Sequence, residues 1–215
     1  MCKKDKQAEE RKKLIKGNNF PEVYEWVRNN FYFLHSSVDN YLFAFMNDDN
    51  YATLSPVAPA FFYVTQASIA LSIVATITEL VNKKTVVGVQ TLVKIAKANK
   101  PNDSKVITDC EGILHCIKKH KNLLQTIRTA RNKVYCHFDA QVLDKEYVYV
   151  LNNAIKPKEI KDFLNELEIY ITDLRMHYYN DGHKESLSPL NGADVDALID
   201  IICESNEKKS FKEEE

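Results

Sequence analysis

The sequence predicts an all-α protein, because turn-forming residues are scarce and several stretches repeat apolar residues at helical spacing. Glycine occurs 5 times and proline 6 times among 215 residues. So few turn formers argue against a sheet with many hairpins and favour long helices joined by few loops. Apolar residues make up 45% of the chain and charged residues 27%. This balance is ordinary for a globular protein with a hydrophobic core.

The order of these segments predicts one main domain with an extension at each end. Residues 1–18 form a basic N-terminal helix or arm, which Gly17-Asn18-Asn19 interrupts. Residues 19–182 form the all-α domain. Residues 183–215 form an acidic C-terminal extension whose end we expect to be disordered.

Within the domain, the spacing of apolar residues and the capping residues place the helices. Pro21 suits the first turn of a helix, and Asp48-Asp49-Asn50 is expected to end that helix. Asp103 or Ser104 can cap a later helix. The predicted helices cover residues 21–47, 57–82, 85–98, about 104–118, 119–138 and 157–179, with a strand-like run at 141–151 and a last short helix at 193–204.

The second of these helices raises the question of a membrane span. The stretch from Asn50 to Thr78 carries no charged residue, and residues 56–77 are long and apolar enough to cross a bilayer. Polar residues in lipid need partners, however, and a stripe of them follows one face of this helix. We therefore predict the buried central helix of a soluble bundle and keep a membrane-associated helical protein as a third hypothesis. The stripe consists of Thr65, Ser68, Ser72 and Thr76.

The cysteines and histidines do not predict a metal site. The 5 cysteines lack the spacing of a zinc knuckle, and we interpret Cys110 and Cys116 as buried thiols in a reducing compartment. His115 and His120 lie five positions apart, whereas metal pairs on a helix prefer three or four. No apolar signal segment follows the polar N-terminus, so we expect a cytoplasmic protein. We predict no cofactor and no metal.

Charge is distributed unevenly along the chain, although the formal net charge is only -1. Residues 83–133 carry 12 Lys and Arg against 3 Asp and Glu, whereas residues 139–215 carry 9 against 18. A basic surface next to a site suits a polyanion such as RNA. Taken alone, the same lysines are also explained as solvated residues on exposed helix faces.

The end of this basic segment carries a short motif. Residues 127–139 read Ile-Arg-Thr-Ala-Arg-Asn-Lys-Val-Tyr-Cys-His-Phe-Asp. The pattern is Arg131-Asn132, four residues, His137, and then the acidic Asp139 two positions further on. In a helix late in an all-α domain, this motif resembles the HEPN superfamily and looks closest to the HEPN branch of abortive-infection proteins of the AbiU type. The resemblance covers about residues 20–180 and implies a HEPN-like helical bundle.

The resemblance also implies an activity. HEPN proteins of this kind are metal-independent endoribonucleases that act as two-fold homodimers, with the two motif helices facing each other across a cleft. Arg131 and His137 match the catalytic pair of the family, and Asn132 matches its frequent polar partner. The implied role is a phage-defence or toxin effector with an antitoxin or another defence protein as partner. Toxins regulated by nucleotidyltransferases usually have a tyrosine where this chain has Asp139, so that regulation is not expected.

The chemistry of the motif fits RNA cleavage on its own terms. The 2′-hydroxyl of RNA can attack the adjacent phosphate, and a histidine such as His137 can act as the base or the acid of that reaction. The Arg131 guanidinium suits phosphate oxygens, and we expect Arg128 and Lys133 to assist in binding RNA. DNA, which lacks the 2′-hydroxyl, is not an expected substrate.

Two alternatives remain open for this motif. Arg131 and His137 lie six positions apart, about 240° around a helix. Two copies of the helix can therefore bring both side chains to one cleft more easily than a single helix can. The first alternative is a HEPN-like dimerisation module that binds RNA or a nucleotide without cutting it. The second is a structural motif, in which Arg131 pairs with a carboxylate and His137 caps the helix end.

Overall fold

The computed structural model describes residues 9–10, 13, 17, 19–136, 156–187, 197 and 199–203, without the side chains of 133–136. All the long elements in this part of the chain are helices, so the predicted all-α fold is confirmed. The strand-like run at 141–151 lies outside the described residues. The helices are α1 (Phe20–Phe45), α2 (Asp48–Leu54), α3 (Pro59–Val81), α4 (Val89–Asn99), α5 (Ser104–Lys119), α6 (Lys121–Cys136) and α7 (Pro157–Tyr179).

Capping residues explain where the helices begin. Pro21 lies in the first turn of α1, as predicted. The Asp103 side chain accepts hydrogen bonds from the backbone N–H groups of Lys105 and Val106 and starts α5. The prediction that residues 48–50 only end a helix was wrong. They open the short helix α2, because the Asn47 side chain accepts from two backbone N–H groups, at 3.1 and 3.3 Å.

Only the carboxyl half of the apolar helix α3 belongs to the hydrophobic core. Its carboxyl half buries Ile73, Val74 and Ile77, whereas Phe61 and Val64 near its start are exposed. The prediction of a buried central helix therefore holds only for that carboxyl half. By length and composition alone, α3 is also apolar enough to cross a membrane, with a mean hydropathy of 1.7 over its most apolar window. A core helix of a soluble protein passes the same test.

The amphipathic helix α7 buries one apolar stripe in the hydrophobic core. The apolar spacing predicts a stripe from Ile160 to Leu174 that includes Tyr170. The stripe is buried except at Tyr170, which is partly exposed, and α7 packs along α5 on one side and α1 on another. Each large apolar side chain buried in this way contributes about 1.5–3 kcal/mol. Helix α1 also packs on α3 and α4, and α3 packs on α6. The buried stripe of α7 consists of Ile160, Phe163, Leu164, Leu167, Ile171 and Leu174.

The segment after α7 turns back onto the bundle. Asn180 adopts a left-handed conformation, with φ of 54°, and ends the helix. The Glu185 carboxylate then accepts hydrogen bonds from the Arg28 guanidinium at 3.0 Å and the Tyr24 hydroxyl at 3.2 Å. Leu187 is fully buried. The first residues of the predicted acidic extension thus pack onto α1 as part of the domain.

Candidate functional site

The motif helix α6 has two different faces. Leu123, Ile127 and Ala130 are buried, and this apolar face packs against α3. Polar and basic residues recur every three or four positions on the other side of the helix. They are Lys121, Gln125, Arg128 and Arg131.

This basic stripe forms one wall of a cavity of about 750 Å³, which we call the basic groove. The end of α5 and the turn after α3 form its other walls. Six of the residues that line the groove are Lys or Arg, and none of its described lining residues is Asp or Glu. The six cationic residues are Lys83, Lys84, Lys118, Lys121, Arg128 and Arg131.

The apolar part of the lining lies between these charges. Val81 comes from the end of α3, Leu114 and Ile117 come from α5, and Leu124 comes from α6. The groove therefore combines a concave apolar floor with cationic rims. A site of this kind can hold a phosphate backbone and also contact the flat face of a base or sugar.

The guanidinium of Arg131 is positioned by two neighbours. Asn132 Oδ1 accepts from Nη2 of Arg131 at 3.2 Å and from Nε at 3.4 Å. The Glu79 carboxylate on α3 approaches Nη1 of Arg131 at 3.7 Å. Both contacts come from the same chain. They hold the arginine at the edge of the basic groove, with about a third of its side chain exposed.

The residues that the motif predicts do not all fall in the described part of the chain. Arg128 and Arg131 line the basic groove. Asn132 is exposed, and its side chain contacts Arg131 instead of lining the groove. The side chain of Lys133 and the whole of His137 lie outside the described residues. The geometry between Arg131 and His137 therefore stays a prediction.

Sequence reasoning missed several residues of the groove. Lys83 and Lys84 follow α3, while Lys118 and Lys121 flank the α5–α6 junction. The two pairs are far from each other in the chain. The sequence signal that could have indicated them is the excess of positive charge across residues 83–133, which carry 12 Lys and Arg against 3 Asp and Glu. That surplus indicates a basic surface but does not say which lysines share a cavity.

The all-α bundle, with a basic groove along an Arg-Asn motif helix, has the architecture that the HEPN resemblance implies. A HEPN family model described as AbiU2 matches residues 11–200, and the chain therefore belongs to the AbiU2 family of HEPN proteins. The resemblance that the motif predicted is confirmed. The matched range also spans both boundaries predicted at 18 and 182. No curated protein and no solved structure matches the chain.

Proposed function

We propose that this protein is a HEPN-type endoribonuclease that binds RNA in the basic groove and cleaves it by attack of a 2′-hydroxyl. The observation that carries the proposal is the gathering of six cationic residues around one cavity at the motif helix. The chain as a whole has a net charge of -1, so this concentration of positive charge is local.

The groove fits a nucleic-acid backbone on electrostatic grounds. Lys and Arg that contact phosphates release condensed counterions, and this release supplies most of the sequence-independent affinity. The groove spans three elements, so one RNA strand can contact cations from the α3–α4 turn, from α5 and from α6. The apolar floor favours single-stranded RNA, whose unstacked bases can lie against Leu114 and Ile117.

The reaction itself needs groups that the motif supplies. Arg131 would stabilise the charge that develops on the phosphate when the 2′-oxygen attacks it. His137 would take the proton of the 2′-hydroxyl or give one to the leaving 5′-oxygen. The 2′-oxygen–phosphorus bond forms as the bond to the 5′-oxygen breaks, so one product ends in a 2′,3′-cyclic phosphate. This route uses no metal ion.

Three expectations from the family resemblance accompany this proposal. The protein acts as a homodimer with its motif helices facing each other. Its role is that of an abortive-infection effector against phage, held in check by an antitoxin or another defence protein. The AbiU2 family match supports this set of expectations.

One observation favours a second candidate function, a module that binds RNA without cutting it. Arg131 already pairs with Glu79 in the single chain, and this pair competes with the contact to phosphate that cleavage needs. If that pair persists when RNA is bound, the guanidinium is partly neutralised and the groove acts as a binding surface alone.

One experiment distinguishes an endoribonuclease from a module that binds RNA without cutting it. The purified protein is incubated with a defined single-stranded RNA in EDTA, and the product ends are analysed for 2′,3′-cyclic phosphate. We expect cleavage by the wild type and by His115→Ala, a matched control at an exposed histidine on α5. We expect none with Arg131→Ala or His137→Ala, and none on DNA.

Binding is measured on the same variants with a 2′-O-methyl RNA, which cannot be cut. Tight binding without any cleavage by the wild type supports the binding module. Activity that disappears with chelator and returns with magnesium contradicts the 2′-hydroxyl mechanism, and weak binding by every variant contradicts both candidate functions.

A further inference from the structure

A cluster of potential metal ligands lies on the side of α5 away from the basic groove. The thiol of Cys116, a ring nitrogen of His120 and a carboxylate oxygen of Glu166 all lie within 4.8 Å of one another. Cys116 and His120 are four positions apart at the end of α5, so their side chains project from the same face. Glu166 reaches the same point from α7.

This spacing differs from the one that the sequence suggested. His115 and His120 are five apart and do not share a face, whereas Cys116 and His120 have the separation that metal pairs on a helix prefer. The third group cannot be found from spacing, because Glu166 lies 46 positions from His120. Only the packing of α5 along α7 brings the three groups together.

We propose that Cys116, His120 and Glu166 bind one divalent transition metal ion of the zinc type. One sulfur, one nitrogen and one oxygen donor form a mixed set that suits Zn²⁺, and three protein ligands leave the fourth tetrahedral position for water. Ligand atoms around tetrahedral zinc lie about 3.3–3.8 Å apart, given bonds of about 2.0–2.3 Å. His120 Nε2 and Glu166 Oε2, which are in direct contact at 2.9 Å, would have to move slightly apart to reach that geometry.

The surroundings favour such a small adjustment. His120 follows the last turn of α5 as its C-cap, where the backbone has already left the regular helix. Its ring packs against Phe163 with centroids 5.2 Å apart, which limits the directions in which it can point. The His120 and Glu166 side chains are 18% and 25% exposed, so an ion can enter from solvent while Cys116 closes the buried side.

The Lys119 ammonium and the proton of the Cys116 thiol compete with a metal at this cluster. The Lys119 ammonium lies 2.7 Å from Glu166 Oε2, the oxygen that also contacts His120. Lys119 is more than half exposed, so its ammonium can move into solvent when a dication arrives. Burial, together with the nearby Glu166 charge, raises the pKa of the Cys116 thiol to about 12. The metal must therefore displace a thiol proton, which lowers its affinity relative to a site with a preformed thiolate.

A metal in this position would act on structure. It would tie the last turn of α5 to α7 immediately before α6 begins at Lys121, and so fix the direction in which the motif helix leaves α5. None of its three ligands lines the basic groove. The site is thus separate from the proposed RNA site, and its ion takes no part in the cleavage reaction.

Cobalt provides a test that does not depend on RNA. The full chain is stripped of metal, titrated with Co²⁺, and followed by absorbance in the cobalt–thiolate charge-transfer region and in the visible region. We expect one ion per chain with a tetrahedral spectrum, displacement by Zn²⁺, and a rise in the melting temperature with Zn²⁺. Cys116→Ala should lose the charge-transfer band. His120→Asn and Glu166→Gln should each bind Co²⁺ at least tenfold more weakly.

Matched controls lie elsewhere in the described chain. Cys110→Ala removes another fully buried thiol of α5, and Cys203→Ala removes an exposed one. Both should keep the band. The proposal is overturned if the wild type shows no thiolate band in excess Co²⁺, or if the band survives Cys116→Ala. Should that variant fail to fold, unchanged Co²⁺ affinity in His120→Asn and Glu166→Gln overturns it equally. Each result is independent of whether the protein cleaves RNA.

Discussion

Arg131 Nη1 lies 3.7 Å from Glu79 Oε1, so a carboxylate of α3 faces the guanidinium that the motif supplies from α6. Helix α3 therefore takes part in the site through a residue that no motif identifies. Because both side chains are partly exposed, the pair contributes at most about 1 kcal/mol to stability. Its larger consequence is electrostatic, since Glu79 is a negative charge at the edge of a groove proposed to bind phosphates.

Replacing Glu79 by glutamine should therefore strengthen RNA binding. The change removes a negative charge that repels phosphate and frees the Arg131 guanidinium, and we expect an affinity about two- to fivefold higher, as suits a partly exposed pair. The measurement is fluorescence anisotropy with a 2′-O-methyl RNA. Glu159→Gln is the matched control, because Glu159 is similarly exposed but lies on α7 beside Lys156. Weaker binding by Glu79→Gln would show that Glu79 positions Arg131 usefully, and equal binding would show that the Glu79 charge does not affect the bound RNA.

The lysines at the α5–α6 junction should control the salt dependence of RNA binding. Lys118→Ala and Lys121→Ala each remove one cation from the basic groove. For single-stranded RNA, we expect each to weaken binding at low salt and to lower the slope of log K against log salt by about 0.7. Lys158→Ala, at an exposed position on α7, should leave both quantities unchanged. A slope that stays the same in all three variants would place the RNA outside the basic groove.

The active site should be shared between two subunits. The angular offset of Arg131 from His137 motivates this prediction, because one helix cannot easily direct both groups to one phosphate. Arg131→Ala and His137→Ala, each inactive alone, are co-expressed with different tags and the heterodimer is isolated. One of its two sites then keeps both groups, so activity should return to at most about half of wild type by symmetry. A heterodimer as inactive as its parents would mean that each subunit holds a complete site.

Gly112 should not tolerate a side chain, because the ring of Tyr170 on α7 occupies the space that its Cβ would need. Alanine is favoured over glycine in a helix by about 1 kcal/mol, so an open position would be stabilised by Gly112→Ala. We expect the opposite, with overpacking that costs about 1–3 kcal/mol and lowers the melting temperature. Gly182→Ala, where nothing lies within 4 Å of the new Cβ, should be nearly neutral.

The same contact can be tested in reverse. Adding Tyr170→Leu to Gly112→Ala removes the ring and should restore part of the lost stability, because the two residues share one space. A Gly112→Ala variant that melts higher than wild type would indicate that the Tyr170 ring swings into solvent. Circular dichroism of the wild type, Gly112→Ala, Tyr170→Leu and the double variant, followed with temperature, measures both effects.

Much of the fold follows from the order of residues along the chain. The stripe from Ile160 to Leu174 predicted α7 and its buried face, because apolar residues at helical spacing must be buried together. Asp103 marked the start of α5 for a local reason, namely that its side chain satisfies N–H groups two and three residues ahead. The Arg131-Asn132 motif predicted the HEPN family that the match over residues 11–200 confirms.

Local signals failed where two interpretations of the same residues compete. Residues 48–50 can end one helix or begin another, and the contacts of the Asn47 side chain decide for a new beginning. The apolar stretch of α3 predicts burial, but burial depends on how much of the helix its neighbours cover. The bundle covers the carboxyl half of α3 and leaves Phe61 and Val64 exposed.

By itself, the sequence determined the class of fold, the helix that carries the motif and the excess of positive charge before it, since these depend on neighbours along the chain. The tertiary structure alone decided which distant residues meet. Packing of α3 against α6 brings Glu79 to Arg131, and packing of α5 along α7 brings Glu166 to Cys116 and His120. Such contacts depend on the angle and register between helices, which many side chains set together and no short segment encodes.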